Sequence, residues 1–234
     1  MPKLQILKGF ELSKHPILQE TMFKDRAKQF VDRLHWPNLY VNKFGWETDE
    51  YDRDATLYVI WELDDKTHGG SMRLLPMNGK NMLFDHFQEL VPNGLEMGPR
   101  ALECTRLVVP SNSHKSASRA LLLAATEMLE QRVVSEIFGV FDRKMYRTYS
   151  RWGFAPKLYK KTDDISSWIA LGGWSNCTLE HSRWRHETRS VFHSGNEFPP
   201  NGWAIWKPQI SSAVSAASVE YSEFSEPNMT PIAA

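Results

Sequence analysis

Apolar residues recur at helical spacing in two stretches of this chain, and both stretches are predicted to form amphipathic helices. The first covers residues 19–34 and ends before Pro37, because proline does not fit the interior of a helix. The second covers residues 118–131, where leucine, alanine and methionine side chains line one face. Shorter helices are predicted over residues 82–90 and 143–152, and the second of these is strongly basic.

Between the helices lie short runs rich in β-branched and aromatic residues, which are typical of strands. A segment with Asp-Asp and Gly-Gly pairs separates the first two runs and predicts a hairpin. The order of elements predicts an α/β fold, a mixed twisted sheet with helices on both faces. Within it, residues 101–141 form a strand–helix–strand unit with parallel strands. The predicted strands are residues 55–63, 71–76, 101–109, 135–141, and segments near 168–171 and 203–206.

Composition is that of an ordinary globular protein, with 234 residues of which 41% are hydrophobic and 24% charged. We expect one domain over residues 1–210 and a disordered tail over residues 211–234, which are rich in Ser, Ala and Glu without periodicity. Basic and acidic residues number 28 each, and this balance argues against a general nucleic-acid-binding protein.

The two cysteines form no CxxC pair, so neither a disulfide framework nor a common zinc site is predicted, and a reducing cytoplasm is expected. The sequence has no run of about 18 apolar residues and no signal-peptide pattern at its start, so no membrane span is predicted. It also lacks the GxGxxG, Walker, GxSxG and HExxH motifs, and we expect no metal and no resident cofactor.

Charge is unevenly distributed along the chain. Residues 47–65 contain eight acids and one base, whereas residues 142–161 contain seven bases and one acid. Both segments are compatible with solvated faces. Alternatively, the acidic segment binds a cationic ligand and the basic segment binds an acidic protein partner.

Two aromatic residues and two acids near the first predicted helix are candidates for a ligand site. Phe30 and Trp36 are either core aromatics or rings that pack against a nucleoside and a sulfonium or ammonium group. Asp49 and Asp52 either belong to a solvated loop, where aspartates cap turns, or bind the amino group of a cationic ligand.

Three candidate charged residues, Arg73, Glu103 and Arg106, lie inside predicted strands, where an unpaired charge is costly. Arg73 and Glu103 either form a buried ion pair, or Glu103 acts as a general base while an arginine holds a carboxylate or phosphate. Glu103 and Arg106 are three positions apart, so a regular strand would direct them to opposite faces. A bulge near Cys104 would bring them together and free a backbone N–H to polarise a thioester carbonyl.

In order and spacing, these residues resemble the acyl-homoserine-lactone synthases, the bacterial autoinducer synthase family. The match covers residues 20–160, and it departs from the family at His35, where glycine is usual, and over residues 172–201. The matching segments are Arg26-x3-Phe30, Arg33-Leu34-His35-Trp36, Glu47-Thr48-Asp49-Glu50-Tyr51-Asp52, Arg73-Leu74-Leu75-Pro76, Asn81-Met82-x4-Phe87 and Glu103-x2-Arg106.

The resemblance implies a GNAT-like three-layer sandwich and an acyltransferase. Such an enzyme moves a fatty acyl group from a thioester to the amine of S-adenosylmethionine, then closes the lactone and releases 5′-methylthioadenosine, which yields a quorum-sensing signal. S-adenosylmethionine is then a substrate, and the acyl donor is acyl carrier protein or acyl-CoA. Residues 112–119 lack the glycines of a CoA pyrophosphate loop, which favours the carrier protein. An N-acyltransferase with another amine acceptor and a non-catalytic acyl-carrier-binding relative are the alternatives.

The resemblance also implies residue roles. Catalysis is assigned to Glu103, Arg106, Asp49 and Arg73. Binding of S-adenosylmethionine is assigned to Arg26, Phe30, Trp36, Asp49, Asp52, Phe87 and Arg106. The acyl pocket, between the sheet and the helix over residues 118–131, is assigned to Ile137, Gly139, Phe141 and Met145. Docking of the carrier is assigned to Lys144, Arg147, Arg151 and Lys157.

Overall fold

The computed structural model describes residues 2–113, 116–163 and 168–175, and within them seven strands form one sheet. The strands are β1 (Lys3–Lys8), β2 (Leu57–Glu62), β3 (His68–Pro76), β4 (Ala101–Val108), β5 (Glu136–Asp142), β6 (Lys157–Lys161) and β7 (Ile169–Ser175). The helices are α1 (Gly9–Leu12), α2 (Pro16–Arg26), α3 (Met82–His86), α4 (Ser116–Glu130) and α5 (Arg143–Arg151). A π-helical segment (Ala27–Arg33) continues α2, and a 3-10 turn (Gln88–Leu90) follows α3.

The sheet is mixed, as predicted, and its strands follow the order β1-β2-β3-β4-β5-β7-β6. The first four strands are antiparallel neighbours, whereas β4 and β5 are parallel and are joined through α4, which confirms the strand–helix–strand unit. β4 and β5 pair only from Ala101–Glu136 to Glu103–Phe138. Both strands are described along their whole length, and beyond these pairs they continue without pairing to each other, which leaves a cleft between them.

Side chains alternate across the sheet and bury a separate apolar layer on each face. On one face, Val59 and Trp61 of β2 pack with the leucines and alanines of α4. On the other face, Tyr58 and Ile60 of the same strand pack with Met22 of α2. Each fully buried side chain of this size contributes roughly 1.5–3 kcal/mol to stability. Helices therefore cover both faces, as the sequence predicts.

The helix predicted over residues 19–34 begins earlier and changes its winding. α2 starts at Pro16, because the fixed φ of proline suits the first helical turn. After Arg26 the chain continues as the π-helical segment to Arg33. Such segments are often found at functional sites, and this one carries Phe30.

Two strands, β1 and β6, were not predicted from the sequence, and both lie at the edges of the sheet. Their sequences, KLQILK and KLYKK, are rich in lysine, which protects an edge strand from pairing with another chain. The lysines also interrupt the alternation of apolar and polar residues from which a strand is predicted. The strand predicted near residues 168–171 is β7. The strand predicted near residues 203–206 and the tail over residues 211–234 lie outside the described residues, as does all of the 1–210 domain beyond residue 175.

No helix in the described part of the chain is long and apolar enough to cross a lipid bilayer.

Candidate active site

Three arginines and three acids form a closed ring in which positive and negative side chains alternate. They come from the end of α2, from the acidic loop that precedes β2, from β3 and from β4. Because three guanidinium groups face three carboxylates, the charge is balanced within the set. We call this set the ionic ring, and its members in order are Arg26, Glu47, Arg106, Asp49, Arg73 and Asp52.

Arg26 and Arg106 are joined through Glu47. The Nε of Arg26 donates to Glu47 Oε2 at 2.6 Å, and its two terminal nitrogens donate to Asp52 at 2.8 and 2.9 Å. The Nη2 of Arg106 lies 3.0 Å from Glu47 Oε1 and 2.9 Å from Asp49 Oδ2. The bidentate contact with Asp52 is the geometry in which a guanidinium group binds a carboxylate most strongly.

Arg73 closes the ring from β3. Its Nη1 donates to Asp52 Oδ1 and its Nη2 to Asp49 Oδ2, each at 2.9 Å. Its Nε donates to the Thr105 hydroxyl at 2.9 Å, which ties the side chain to β4. The hydroxyl of Tyr58 adds a bond to Asp52 at 2.7 Å. The ring is thus connected to α2, β2, β3 and β4 at once.

Most of the ionic ring is buried. The side chains of Arg26 and Glu47 are 1% and 0% exposed, whereas that of Asp49 is 13% exposed. Burial alone would raise the pKa of Asp52, but the charges of Arg26 and Arg73 hold it well below its usual value. Loss of one partner would leave a buried charge uncompensated, which typically costs about 3–5 kcal/mol. Asp49 is the carboxylate of the ring that is most open to a ligand.

β4 contains a bulge opposite β3. Arg73 pairs with Thr105, but Ser71 pairs with Val108, so β4 has one residue more than β3 in this interval. Arg106 lies in that interval and has a φ of +50°, a left-handed conformation that few residues other than glycine adopt.

The bulge brings Glu103 and Arg106 to the same face of the sheet. Glu103 accepts a hydrogen bond from the backbone N–H of Met82 at 2.8 Å, and Arg106 Nη1 lies 3.5 Å from the sulfur of the same methionine. Cys104 points to the opposite face and packs against the layer beneath α4. The bulge that the sequence allowed near Cys104 is therefore present, two residues further along the strand.

Glu103 is buried, with 2% of its surface exposed. Burial raises its pKa to about 7, against the opposing effects of the Met82 N–H and the charge of Arg73. A carboxyl group with this pKa exchanges its proton near neutral pH, as a general base must. The buried Arg73–Glu103 ion pair considered from the sequence does not occur between these two described residues, because Arg73 binds the aspartates of the ring.

Phe30 and Trp36 form a stacked pair beside the ring. Their ring centroids are 4.7 Å apart, and the guanidinium of Arg106 lies 5.5 Å from the centroid of Phe30. Phe30 is 3% exposed and Trp36 is 45% exposed. Phe30 is therefore a core aromatic that supports Trp36, and the open face of Trp36 is available to a ligand. Phe87 lies apart from this pair, half-buried against the apolar layer around Leu83 of α3.

The four residues assigned to the acyl pocket lie together on β5 and at the start of α5. Ile137 and Phe141 are buried on the face covered by α4, and Met145 packs against the same layer. A Cβ built on Gly139 would be 3.5 Å from the ring of Trp174 and 3.7 Å from the Cys104 carbonyl oxygen of β4. Gly139 therefore borders the cleft between β4 and β5. Glu103 lies on the other face of the sheet at the same cleft.

The basic residues assigned to docking form an exposed surface. Lys144, Arg147 and Arg151 lie on α5, and Lys157 begins β6 at the sheet edge. All four side chains are exposed. Because α5 begins directly after β5, this surface lies next to the elements that border the cleft.

Sequence reasoning missed three residues of the site. Glu47 belongs to the matching segments and to the acidic run, but only the structure shows that it bridges two arginines. Met82 contacts Glu103, Arg73 and Arg106 through its backbone and its sulfur, contacts that no sequence pattern indicates. Thr105 became recognisable once the register of β3 and β4 was known.

Comparisons with known proteins show what this chain is similar to. A family model described as Autoinducer synthase matches residues 10–180 of the chain. The acyl-homoserine-lactone synthase of Rhizobium etli is 33% identical over 165 residues, which cover 66% of this chain and 76% of that protein. The acyl-homoserine-lactone synthase of Ralstonia solanacearum is 30% identical over 137 residues, which cover 55% of this chain and 67% of that protein.

Solved structures share the fold. BjaI, a CoA-dependent acyl-homoserine lactone synthase in complex with SAM and isopentyl-CoA, matches with a TM-score of 0.68 and 19% identity over 94% of this chain and 100% of BjaI. TofI, in a ternary complex with an inhibitor and MTA, matches with a TM-score of 0.61 and 22% identity over 76% of this chain and 96% of TofI. These likenesses confirm the predicted layered α/β fold.

Proposed function

Because the chain belongs to the autoinducer synthase family, we propose that it makes an N-acyl homoserine lactone with Glu103 as general base and the ionic ring as the support of the S-adenosylmethionine site. The chain is an acyltransferase, and S-adenosylmethionine is its acyl acceptor. The observation that carries the residue assignment is the buried Glu103, with a pKa of about 7, beside the cleft between β4 and β5.

The first step is acyl transfer. The amine of S-adenosylmethionine gives a proton to Glu103, directly or through a water molecule, and its nitrogen attacks the thioester carbonyl carbon. The new C–N bond replaces the C–S bond, and the thiolate of the carrier leaves and takes up a proton. The raised pKa of Glu103 suits this step, because its conjugate acid forms readily near neutral pH.

The negative charge that develops on the thioester oxygen needs hydrogen-bond donors. β4 and β5 stop pairing after Glu103 and Phe138, so the following N–H groups of β4 that point away from β3 line the cleft rather than a ladder with β5. Donors fixed in this way stabilise an oxyanion without reorganisation, and removal of one such donor typically costs about 10²–10³ in kcat.

S-adenosylmethionine is cationic, and the exposed parts of the site suit a cation. Asp49 offers the most open carboxylate of the ionic ring to the amine, while Arg73 and Arg106 hold that carboxylate in place. The open face of Trp36 suits the sulfonium group or the adenine ring. Arg26 and Asp52 are too deeply buried for direct contact and support the ring from beneath.

Lactone closure requires only orientation. The carboxylate of the acylated intermediate attacks the carbon that bears the sulfonium, a C–O bond forms as the C–S bond breaks, and 5′-methylthioadenosine leaves as a neutral product. The proximity of the two ends of a bound substrate supplies much of the rate of such a step.

The acyl chain enters the cleft between β4 and β5 and lies against Ile137, Gly139, Phe141 and Met145. The donor is an acyl carrier protein, whose acidic surface suits Lys144, Arg147, Arg151 and Lys157, with acyl-CoA as the alternative donor. We place the enzyme in the cytoplasm, where both substrates are produced.

Mass spectrometry of the purified protein's reaction tests the function. The protein is incubated with S-adenosylmethionine and a series of acyl carrier protein and CoA thioesters. An N-acyl homoserine lactone with an equal amount of 5′-methylthioadenosine is expected. An acylated product without methylthioadenosine would indicate another amine acceptor, and no turnover with any donor would contradict the proposal.

A further inference from the structure

We infer that Asp85 is a positioning residue for the reaction: held by Tyr51, it fixes α3 beneath Glu103 and sets the charge environment in which Glu103 exchanges its proton. This inference rests on the proposed function, because it requires Glu103 to be the base. It requires no contact between Asp85 and a substrate.

Tyr51 connects the acidic loop to α3. Its side chain is buried, and its hydroxyl donates to Asp85 Oδ2 at 2.7 Å. The hydroxyl oxygen of Tyr51 also lies 3.1 Å from His86 Nε2. Since the hydroxyl proton is used in the bond to Asp85, His86 completes the contact by donating its Nε2–H. Burial and the Asp85 carboxylate both raise the pKa of Tyr51, so its hydroxyl keeps the proton.

The short helix that carries Asp85 also holds the base. Asn81 caps α3 by accepting the N–H of Phe84 at 3.0 Å. The N–H of Met82, the first residue of the helix, donates to Glu103 at 2.8 Å. A shift of α3 would therefore change the hydrogen bond on the Glu103 carboxylate. The Tyr51–Asp85 bond prevents that shift by tying the end of the helix to the loop that carries the ionic ring.

Asp85 also acts through its charge. Burial is the main cause that raises the pKa of Glu103. The N–H groups of Met82 and Leu83 and the positive Arg73 of β3 lower it, and the negative Asp85 of α3 adds a smaller effect that raises it. Arg106 of β4 faces the same region and is held by the carboxylates of Glu47 and Asp49. Asp85 thus partly offsets the effect of Arg73 on the Glu103 carboxyl group.

The decisive variant is Asp85→Asn, which keeps the shape and a hydrogen-bond acceptor but removes the charge at an exposed position. We expect the acidic limb of kcat/KM against pH to move to lower pH by about half a pH unit, because a nearby negative charge no longer favours protonation of Glu103. Glu89→Gln is the matched control, an exposed acid in the 3-10 turn that follows α3, and its profile should equal that of the wild type.

Tyr51→Phe tests whether the Tyr51–Asp85 hydrogen bond holds α3 in position. It removes only the hydroxyl, so we expect kcat to fall several-fold while the KM for S-adenosylmethionine changes little. A change confined to KM would contradict a role in positioning the base.

His86→Gln removes the imidazole beside the Tyr51 hydroxyl and leaves Glu103 in place. The acidic limb is expected to persist in this variant, and its disappearance would overturn the inference. Carbon-13 NMR of labelled glutamate side chains measures the same effect without an acyl donor, with Glu103→Gln identifying the resonance. A Glu103 resonance that titrates in Asp85→Asn as it does in the wild type would also overturn the inference. Glu103→Gln distinguishes failure of the inference from failure of the proposed function. If Glu103→Gln remains active, Glu103 is not the base and both are contradicted. If it is inactive and Asp85→Asn has no effect, only the inference is contradicted.

Discussion

The carboxylate of Glu47 lies 3.0 Å from Nη2 of Arg106, and neither side chain is more than 3% exposed. The pair joins the acidic loop to the bulge of β4, and Arg26 extends the contact to α2. Charges that are buried together have no water to replace a lost partner, so they fix the positions of the elements that carry them. The site is therefore built on a salt-bridge network that the fold cannot easily rearrange.

Glu47→Gln should destabilise the protein strongly. The substitution leaves Arg26 and Arg106 with one negative charge fewer in a buried position, and we expect the free energy of unfolding to fall by about 3–5 kcal/mol. Urea unfolding followed by circular dichroism measures the change. Glu50→Gln, an exposed acid of the same loop, serves as the control and should leave the midpoint unchanged. Equal stability of the two variants would show that the charge of Glu47 in the ionic ring does not contribute to the free energy of unfolding.

Much of this site could be predicted from the sequence, because its charges interrupt apolar segments at recognisable spacing. The strands β2 to β5 and the helices α4 and α5 also follow from their apolar patterns. Closure of the ionic ring could not be predicted, since it depends on the extra residue that β4 has between the pairs Arg73–Thr105 and Ser71–Val108. Glu47 is not singled out by the sequence for another reason, because nothing in an acidic loop distinguishes the carboxylate that becomes buried.

Stability should decrease in acid because of Asp52. Its pKa is lower in the folded than in the unfolded protein, so the stabilisation is complete above the unfolded value of about 3.9 and is lost as the pH falls below it. Asp52→Asn should be less stable than the wild type at pH 7 but should lose less stability between about pH 5 and pH 2. Asp54→Asn, exposed in the same loop, should keep the steep wild-type dependence. Parallel pH profiles for wild type and Asp52→Asn would contradict the role of this carboxylate.

Trp36→Ala should weaken substrate binding without unfolding the protein. Its ring is 45% exposed and rests on Phe30, so removal costs little packing but takes away a face that suits a cation. A loss of about tenfold in affinity for S-adenosylmethionine is expected by calorimetry. Tyr40→Ala provides the comparison, since Tyr40 is 67% exposed in the same loop. Similar effects of the two variants would show that exposure, not the stacked position, determines binding.

Charge reversal on α5 should affect only the acyl donor. Lys144→Glu combined with Arg147→Glu should raise the KM for acyl carrier protein at low ionic strength and leave the KM for S-adenosylmethionine unchanged. The control pair is Lys14→Glu with Lys28→Glu, two exposed lysines that lie outside α5, one after α1 and one in the π-helical segment. An unchanged KM for the carrier protein in the α5 variant would show that this surface does not bind the carrier.

The most direct test of the account is the turnover of Glu103→Gln, followed as lactone and 5′-methylthioadenosine by mass spectrometry. The variant keeps the size of the side chain and an oxygen that accepts the Met82 N–H, so the fold and the affinity for S-adenosylmethionine should be retained. Without the base, turnover is expected to fall by a factor of about 10²–10⁴. Turnover close to that of the wild type, with the fold intact, would show that Glu103 is not the general base.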